Sequence, residues 1–199
     1  MAWIQDIEVE EAEGMLAKLY AGVQTPDGHV DNILRVHSLR PRTLRGHLEI
    51  YKAALHSKPN ALSPRERELV GVCVSLLNEC EYCVAHHQAG LARHIGSAEL
   101  AEELAQAAVG KRESEQITAK EVAMCTYAAK LTLQPGEMSE EDLAPLRAAG
   151  LDDAAILDLN QIAAYFAYAN RTVNGLGVVT DGEPLGLHPD ENEEGFAHK

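Results

Sequence analysis

The sequence predicts an all-α fold, a single compact multi-helix bundle. Three observations predict it. Ala, Leu and Glu dominate while alternating β-branched runs are scarce. Apolar residues recur at helical spacing in one segment after another. Helix start and stop signals separate these segments. With 199 residues, 46% of them apolar, the chain is long enough to bury a sizeable core. No linker is long enough to divide it, and no internal repeat is evident. Residues 1–182 therefore read as one helical domain. Residues 183–199 read as a polar C-terminal tail, either loosely ordered or draped over a neighbouring subunit.

Glu10 to Tyr20 carries Ala12, Met15, Leu16 and Leu19 at helical spacing, and the polar loop Thr25-Pro26-Asp27-Gly28 follows. Val30 to Leu39 is a short apolar segment stopped by Pro41, and a helix covers Thr43 to His56. Ser63-Pro64-Arg65-Glu66 is a strong start: Ser63 can cap, Pro64 suits the first turn and Glu66 completes a capping box. That helix should run to about Leu77. Asn78 reads as the N-cap of the next helix, with Glu81 three residues later, and Gly96 as its stop. Further helices are expected at Ser97 to Val109, Thr118 to Leu133, Ser139 to Ala149 and Asp152 to about Val173, with Gly175 to Val179 breaking the pattern.

A net charge of −14 repels nucleic acid and anionic lipid, so neither is an expected partner. The N-terminal residues lack the basic and apolar regions of a signal peptide, and no apolar run approaches the roughly 20 residues of a membrane span. The expectation is a cytoplasmic enzyme. In that setting a Cys-x-x-Cys pair is catalytic or metal-binding rather than a structural staple.

Such a pair stands at Cys80 and Cys83, followed by His87 and preceded by Glu68. On a helix, Cys80, Cys83 and His87 fall at i, i+3 and i+7, within a sector of roughly 60°. Cys83 and His87 are i and i+4 neighbours, so the imidazole can reach the thiol directly or through one water. Glu68 is different: an unbroken helix would put it about 18 Å from Cys80. A chain reversal at Asn78 would instead fold two helices together and bring Glu68 level with His87. A helix start just before Cys80 also turns the positive end of the helix dipole on the thiols and favours thiolate. A thiolate that attacks peroxide becomes a sulfenic acid, which a second Cys can close to a disulfide.

The run Glu68-x11-Cys80-x-Tyr82-Cys83-x3-His87 resembles the signature of the alkyl hydroperoxidase D-like (AhpD-like) proteins, within the carboxymuconolactone decarboxylase superfamily. Val36 to Pro41, Leu76-Leu77-Asn78, Cys83 to His87, Tyr127 to Thr132, Asn170-Arg171 and Asn174 to Val178 extend the likeness to the superfamily's peroxidase-related proteins over most of Trp3 to Val179. The resemblance implies an all-helical fold, homo-oligomers and hydroperoxide reduction through the Cys pair, with no cofactor or metal. It implies that Cys83 attacks peroxide, His87 takes its proton, Glu68 orients His87 or serves as the ultimate base, and Cys80 resolves the sulfenic acid. A dithiol or a lipoylated protein would be the reductant.

Other readings stand beside this one. The pair also suits a thiol-disulfide oxidoreductase acting on a protein or small disulfide, or a redox or metal sensor that turns over nothing. A zinc set of Cys80, Cys83, His86 and His87 is opposed by geometry, since a helix turns His86 about 100° from His87; His86 is expected at the surface or an interface. Glu68 in Arg65-Glu66-Arg67-Glu68 also reads as a solvated carboxylate of a charged stretch. Cys73 and Cys125 lie in apolar patterns and read as buried, inert thiols. Asn170, Arg171 and Asn174 either meet substrate or, more commonly for such residues, cap the last helix. Tyr127, Tyr165 and Tyr168 read as core or interface.

Overall fold

The computed structural model describes residues 2–25 and 27–187. Nine α-helices and no strand occur among them. They are α1 (Gly14–Val23), α2 (Asn32–Arg35), α3 (Pro41–Leu55), α4 (Pro64–Leu77), α5 (Glu81–Ile95), α6 (Ala98–Ala108), α7 (Ala119–Leu133), α8 (Ala144–Ala148) and α9 (Asp153–Leu176). None is long and apolar enough to cross a membrane.

The axis of the bundle is α4. Every residue from Arg67 to Ser75 is buried, because α5, α6, α7 and α9 surround the helix. Ser63 opens it with the capping box expected from sequence: its hydroxyl accepts from the Glu66 N–H, and the Glu66 carboxylate accepts from the Ser63 N–H. One face of α4 packs with α7 and α9 through Val70, Val74, Met124, Leu159 and Phe166. Gly71 permits the close approach, since a β-carbon there would stand 2.3 Å from Phe166 Cζ. The other face meets α5, α6 and α7 through Leu69, Cys73, Leu91, Leu104 and Cys125. Cys73 and Cys125 are buried there, as expected from sequence. Cys73 and burial together push the Cys125 thiol well above its ordinary range, which keeps it protonated.

The chain reversal between α4 and α5 is present, but its cap lies two residues later than Asn78. Asn78 ends α4, and Cys80 is the N-cap of α5. The reversal is a Schellman motif: the Glu79 N–H donates to Leu76 O at 3.2 Å and the Cys80 N–H to Ser75 O at 2.9 Å. Its left-handed position is held by Glu79, at φ 52°, where glycine is usual. Sequence reasoning placed the cap by side-chain type, whereas the carbonyls of α4 placed it by pairing.

Other boundaries shift for similar reasons. The first segment is a 3-10 turn, Val9–Glu11, then α1, because Gly14 takes φ 57° and interrupts the helix. Pro41 opens α3 instead of stopping the previous segment, since its fixed φ suits a first turn. The Ser139 segment begins as a 3-10 turn before α8. α9 runs through Gly175 and ends at Gly177, which adopts φ 64°. The beginning of the polar tail returns to its own chain: Gly186 lies against Ala89 and Gly90 of α5, and Arg93 donates to Gly186 O. The rest of the tail, residues 188–199, lies outside the described residues.

Candidate active site

Folding α5 back on α4 brings Glu68 to His87. The His87 Nδ1–H donates to Glu68 Oε2 at 2.8 Å, with Glu68 itself only 5% exposed. The solvated reading of Glu68 is thereby excluded. The contact depends on Gly90: a β-carbon at that position would approach Glu68 Cδ to 3.0 Å. Phe166 meets the His87 ring edge-to-face at 4.5 Å and limits its rotation. With Nδ1 committed to the carboxylate, a neutral His87 carries its lone pair on Nε2, the arrangement of an oriented general base.

Both thiols are free and buried. As N-cap and N3 residues they share the first turn of α5, where the helix dipole favours negative charge. Electrostatics divides them. Cys80 is lowered below the ordinary thiol value, first by the hydrogen bond from the Cys83 thiol. Burial opposes this, while the Cys83 backbone amide and the Asn170 side chain assist it. Cys83 is raised well above that value by its hydrogen bond to Cys80, by burial and by the Cys80 charge, with Asn170 acting the other way. Negative charge is thus favoured on Cys80 over Cys83, so Cys80 is the first of the pair to ionise. Access divides the thiols in the opposite sense: the cavity wall includes Cys83.

That cavity offers about 40 Å³ to water-sized occupants, room for a few waters. Glu68, His87 and Cys83 line it together with His47, Tyr51 and Tyr165. Tyr165 and His47 also pair, Oη to Nε2, at 3.3 Å. Gly186 and Leu187 of the C-terminal segment complete the wall.

Asn170 neither caps α9 nor lines the cavity. Fully buried, it donates to Ser75 Oγ at 3.1 Å and accepts from Asn78 Nδ2 at 2.9 Å, while Asn174 donates to Asn78 O at 3.0 Å. It therefore holds the reversal that carries the thiols and acts on both sulfurs. Arg171 is exposed and bonds back to Ala167 O on its own helix. Tyr82 is buried and accepts from the Ile33 N–H at 3.2 Å. His86 corrects the surface expectation: it is 8% exposed, stacks on Tyr82 at 4.5 Å and meets Glu183 Oε1 at 3.0 Å. Glu183 escaped sequence reasoning because nothing distinguishes it within an acidic tail.

Comparison with known proteins gives a consistent picture. The carboxymuconolactone decarboxylase family profile matches residues 41–124. A peroxidase-related protein of Ralstonia eutropha JMP134, described as an alkylhydroperoxidase AhpD core, superposes with TM-score 0.79 at 28% identity, over 92% of this chain and 93% of its own. A peroxidase-related protein of Silicibacter sp. TM1040 follows with TM-score 0.71 at 28% identity, over 78% and 79%. A debrominase solved with 2,3,4-tribromopyrrole shares the fold alone, with TM-score 0.72 at 14% identity over 89% and 90%. No curated protein sequence matches the chain.

Proposed function

Because residues 41–124 belong to the carboxymuconolactone decarboxylase family and the whole fold is AhpD-like, we propose that this protein is a thiol peroxidase that reduces hydroperoxides through Cys83 and Cys80. The observation that carries the reading is the Glu68–His87 contact of 2.8 Å beside a buried thiol pair whose Cys80 ionises more readily than Cys83.

Cys83 is the attacking sulfur, since it lines the cavity. Its proton passes to His87 Nε2, and the resulting thiolate attacks one peroxide oxygen. The O–O bond breaks as the S–O bond forms, and the departing alkoxide takes a proton to leave as alcohol. Cys80 then loses its own proton and attacks the sulfenic sulfur; the S–S bond forms, the S–O bond breaks, and the departing hydroxide takes up that proton to leave as water. One peroxide and two thiols thus give one alcohol, one water and one disulfide. The lowered Cys80 thiol suits the resolving step, in which it is the nucleophile.

A dithiol must reduce the disulfide. Both sulfurs are buried, with Cys83 on the cavity wall, which favours a dithiol on a slender arm, such as a lipoylated protein, over one fixed on a broad protein surface. The same burial argues against a protein disulfide as substrate. A homo-oligomer remains part of this reading, and light scattering after size-exclusion that shows a monomer at micromolar concentration would refute it.

The decisive experiment is peroxide consumption with a dithiol reductant, wild type against Cys83→Ser. Turnover in the wild type and its loss in the variant are expected. Absence of peroxide-dependent turnover with every dithiol tried overturns the proposal.

A further inference from the structure

At the mouth of the thiol cavity the C-terminal segment crosses the loop that precedes α2. Glu183, with its side chain 1% exposed, meets there His29 and Asp31, and their donor atoms all lie within 4.8 Å of one another. His29 Nε2 is 3.4 Å from Glu183 Oε2 and 3.5 Å from Asp31 Oδ1. These separations are longer than a charge-assisted hydrogen bond, about 2.7–2.9 Å. They match the edges of a tetrahedron whose ligands stand about 2.0–2.2 Å from zinc, roughly 3.3–3.6 Å. His29 Nε2 is buried and makes no hydrogen bond.

The neighbours of the cluster hold it in a ligating posture. Glu183 Oε2 accepts from the Asn32 N–H at 2.8 Å, and its other oxygen meets His86 Nε2 at 3.0 Å. Such outer contacts orient a ligating carboxylate. Asp6, Asp27 and Asp181 join His29 and Glu183 around an adjoining cleft of about 380 Å³, with Arg35 on its wall. Arg35 is paired with Asp6 and Glu8, so the entrance is acidic.

We propose that His29 Nε2, Asp31 Oδ1 and Glu183 Oε2 form a binding site for a divalent zinc-class cation, which clamps the C-terminal segment over the thiol cavity. One imidazole and two carboxylates suit such an ion. The site uses no sulfur ligand: its ligands come from the loop before α2 and from residue 183, and Asp31 also lines the thiol cavity. It does not depend on the peroxidase reading.

The test uses the full chain, stripped with chelator, dialysed against zinc chloride and assayed for bound metal. One zinc per chain is expected, with a rise in melting temperature on zinc addition. His29→Gln and Glu183→Gln should each weaken zinc binding at least about tenfold and abolish that rise, while their metal-free melting and circular dichroism report whether each variant is folded. The double variant Cys80→Ser/Cys83→Ser should bind zinc as the wild type does. Either of two results overturns the proposal: no stoichiometric zinc in the wild type, or zinc that survives both ligand substitutions and is lost with the cysteines.

Discussion

At the residue scale the pair Cys80 and Cys83 shows how identical side chains one turn apart acquire opposite tendencies. The Cys83 thiol, the Cys83 amide and Asn170 all favour charge on Cys80, and that charge in turn holds the proton on Cys83. The pair should therefore titrate in two steps. Thiolate absorbance at 240 nm is expected to show one thiolate forming below pH 9 and a second only well above it. Cys83→Ala removes the largest stabilising contact of the Cys80 thiolate, so the remaining thiol should titrate at higher pH than the first step of the wild type. A first step that does not move would show that the thiol–thiol contact is not the cause. The base is tested separately: His87→Ala should cut peroxide turnover by about 10²–10⁴-fold. Glu68→Gln should cut it less, because Nε2 survives while the ring loses its anionic partner.

Elements are governed by how their ends are satisfied. Glu79 occupies the left-handed position of the Schellman motif at φ 52°, a conformation that costs a residue with a β-carbon about 1–2 kcal/mol. Glycine relieves that strain but loses more entropy on folding, by roughly 0.4–1 kcal/mol. Glu79→Gly should therefore raise stability by up to about 1 kcal/mol in denaturant unfolding, and a loss of stability would mean that the Glu79 side chain contributes more than the strain removes. At the other end of α4, burial raises the Glu66 carboxyl, but Lys120 and the Ser63 cap outweigh it and lower the value below its usual 4.5. A carboxylate lowered by folding contributes stability above its unfolded value, and this contribution is lost as pH falls through the folded value. Glu66→Gln should thus lower the melting temperature at pH 7, and the difference from wild type should shrink as pH drops below about 4.5. Gly71→Ala drives a methyl group into the Phe166 ring, and overpacking of this kind costs about 1–3 kcal/mol.

On the proposed peroxidase function, the molecule as a whole decides which peroxides reach the thiols. The cavity of about 40 Å³ is closed in part by Gly186 and Leu187, and Arg93 anchors that segment through Gly186 O. Hydrogen peroxide fits such a space, whereas an aromatic hydroperoxide requires the segment to move. Arg93→Ala should therefore raise the rate with cumene hydroperoxide relative to hydrogen peroxide. An unchanged ratio would show that the segment does not control entry.

By itself, the sequence determined the helical class, the capping box at Ser63, the stop at Gly96 and the placing of Cys83 and His87 one turn apart on a single helix. These follow from local periodicity and end chemistry, which act within a few residues. It also identified Glu68 as conditional on a reversal near Asn78, and the reversal exists. Only the tertiary structure decided the rest. The reversal that carries the thiols is held by Asn170, ninety residues along the chain from Cys80 and brought to Ser75 and Asn78 by the packing of α9 on α4. The room for Glu68 beside His87 depends on Gly90 and Phe166, and the burial of His86 depends on Glu183. Contacts of this kind are set by packing between distant segments, and neither spacing nor composition encodes them.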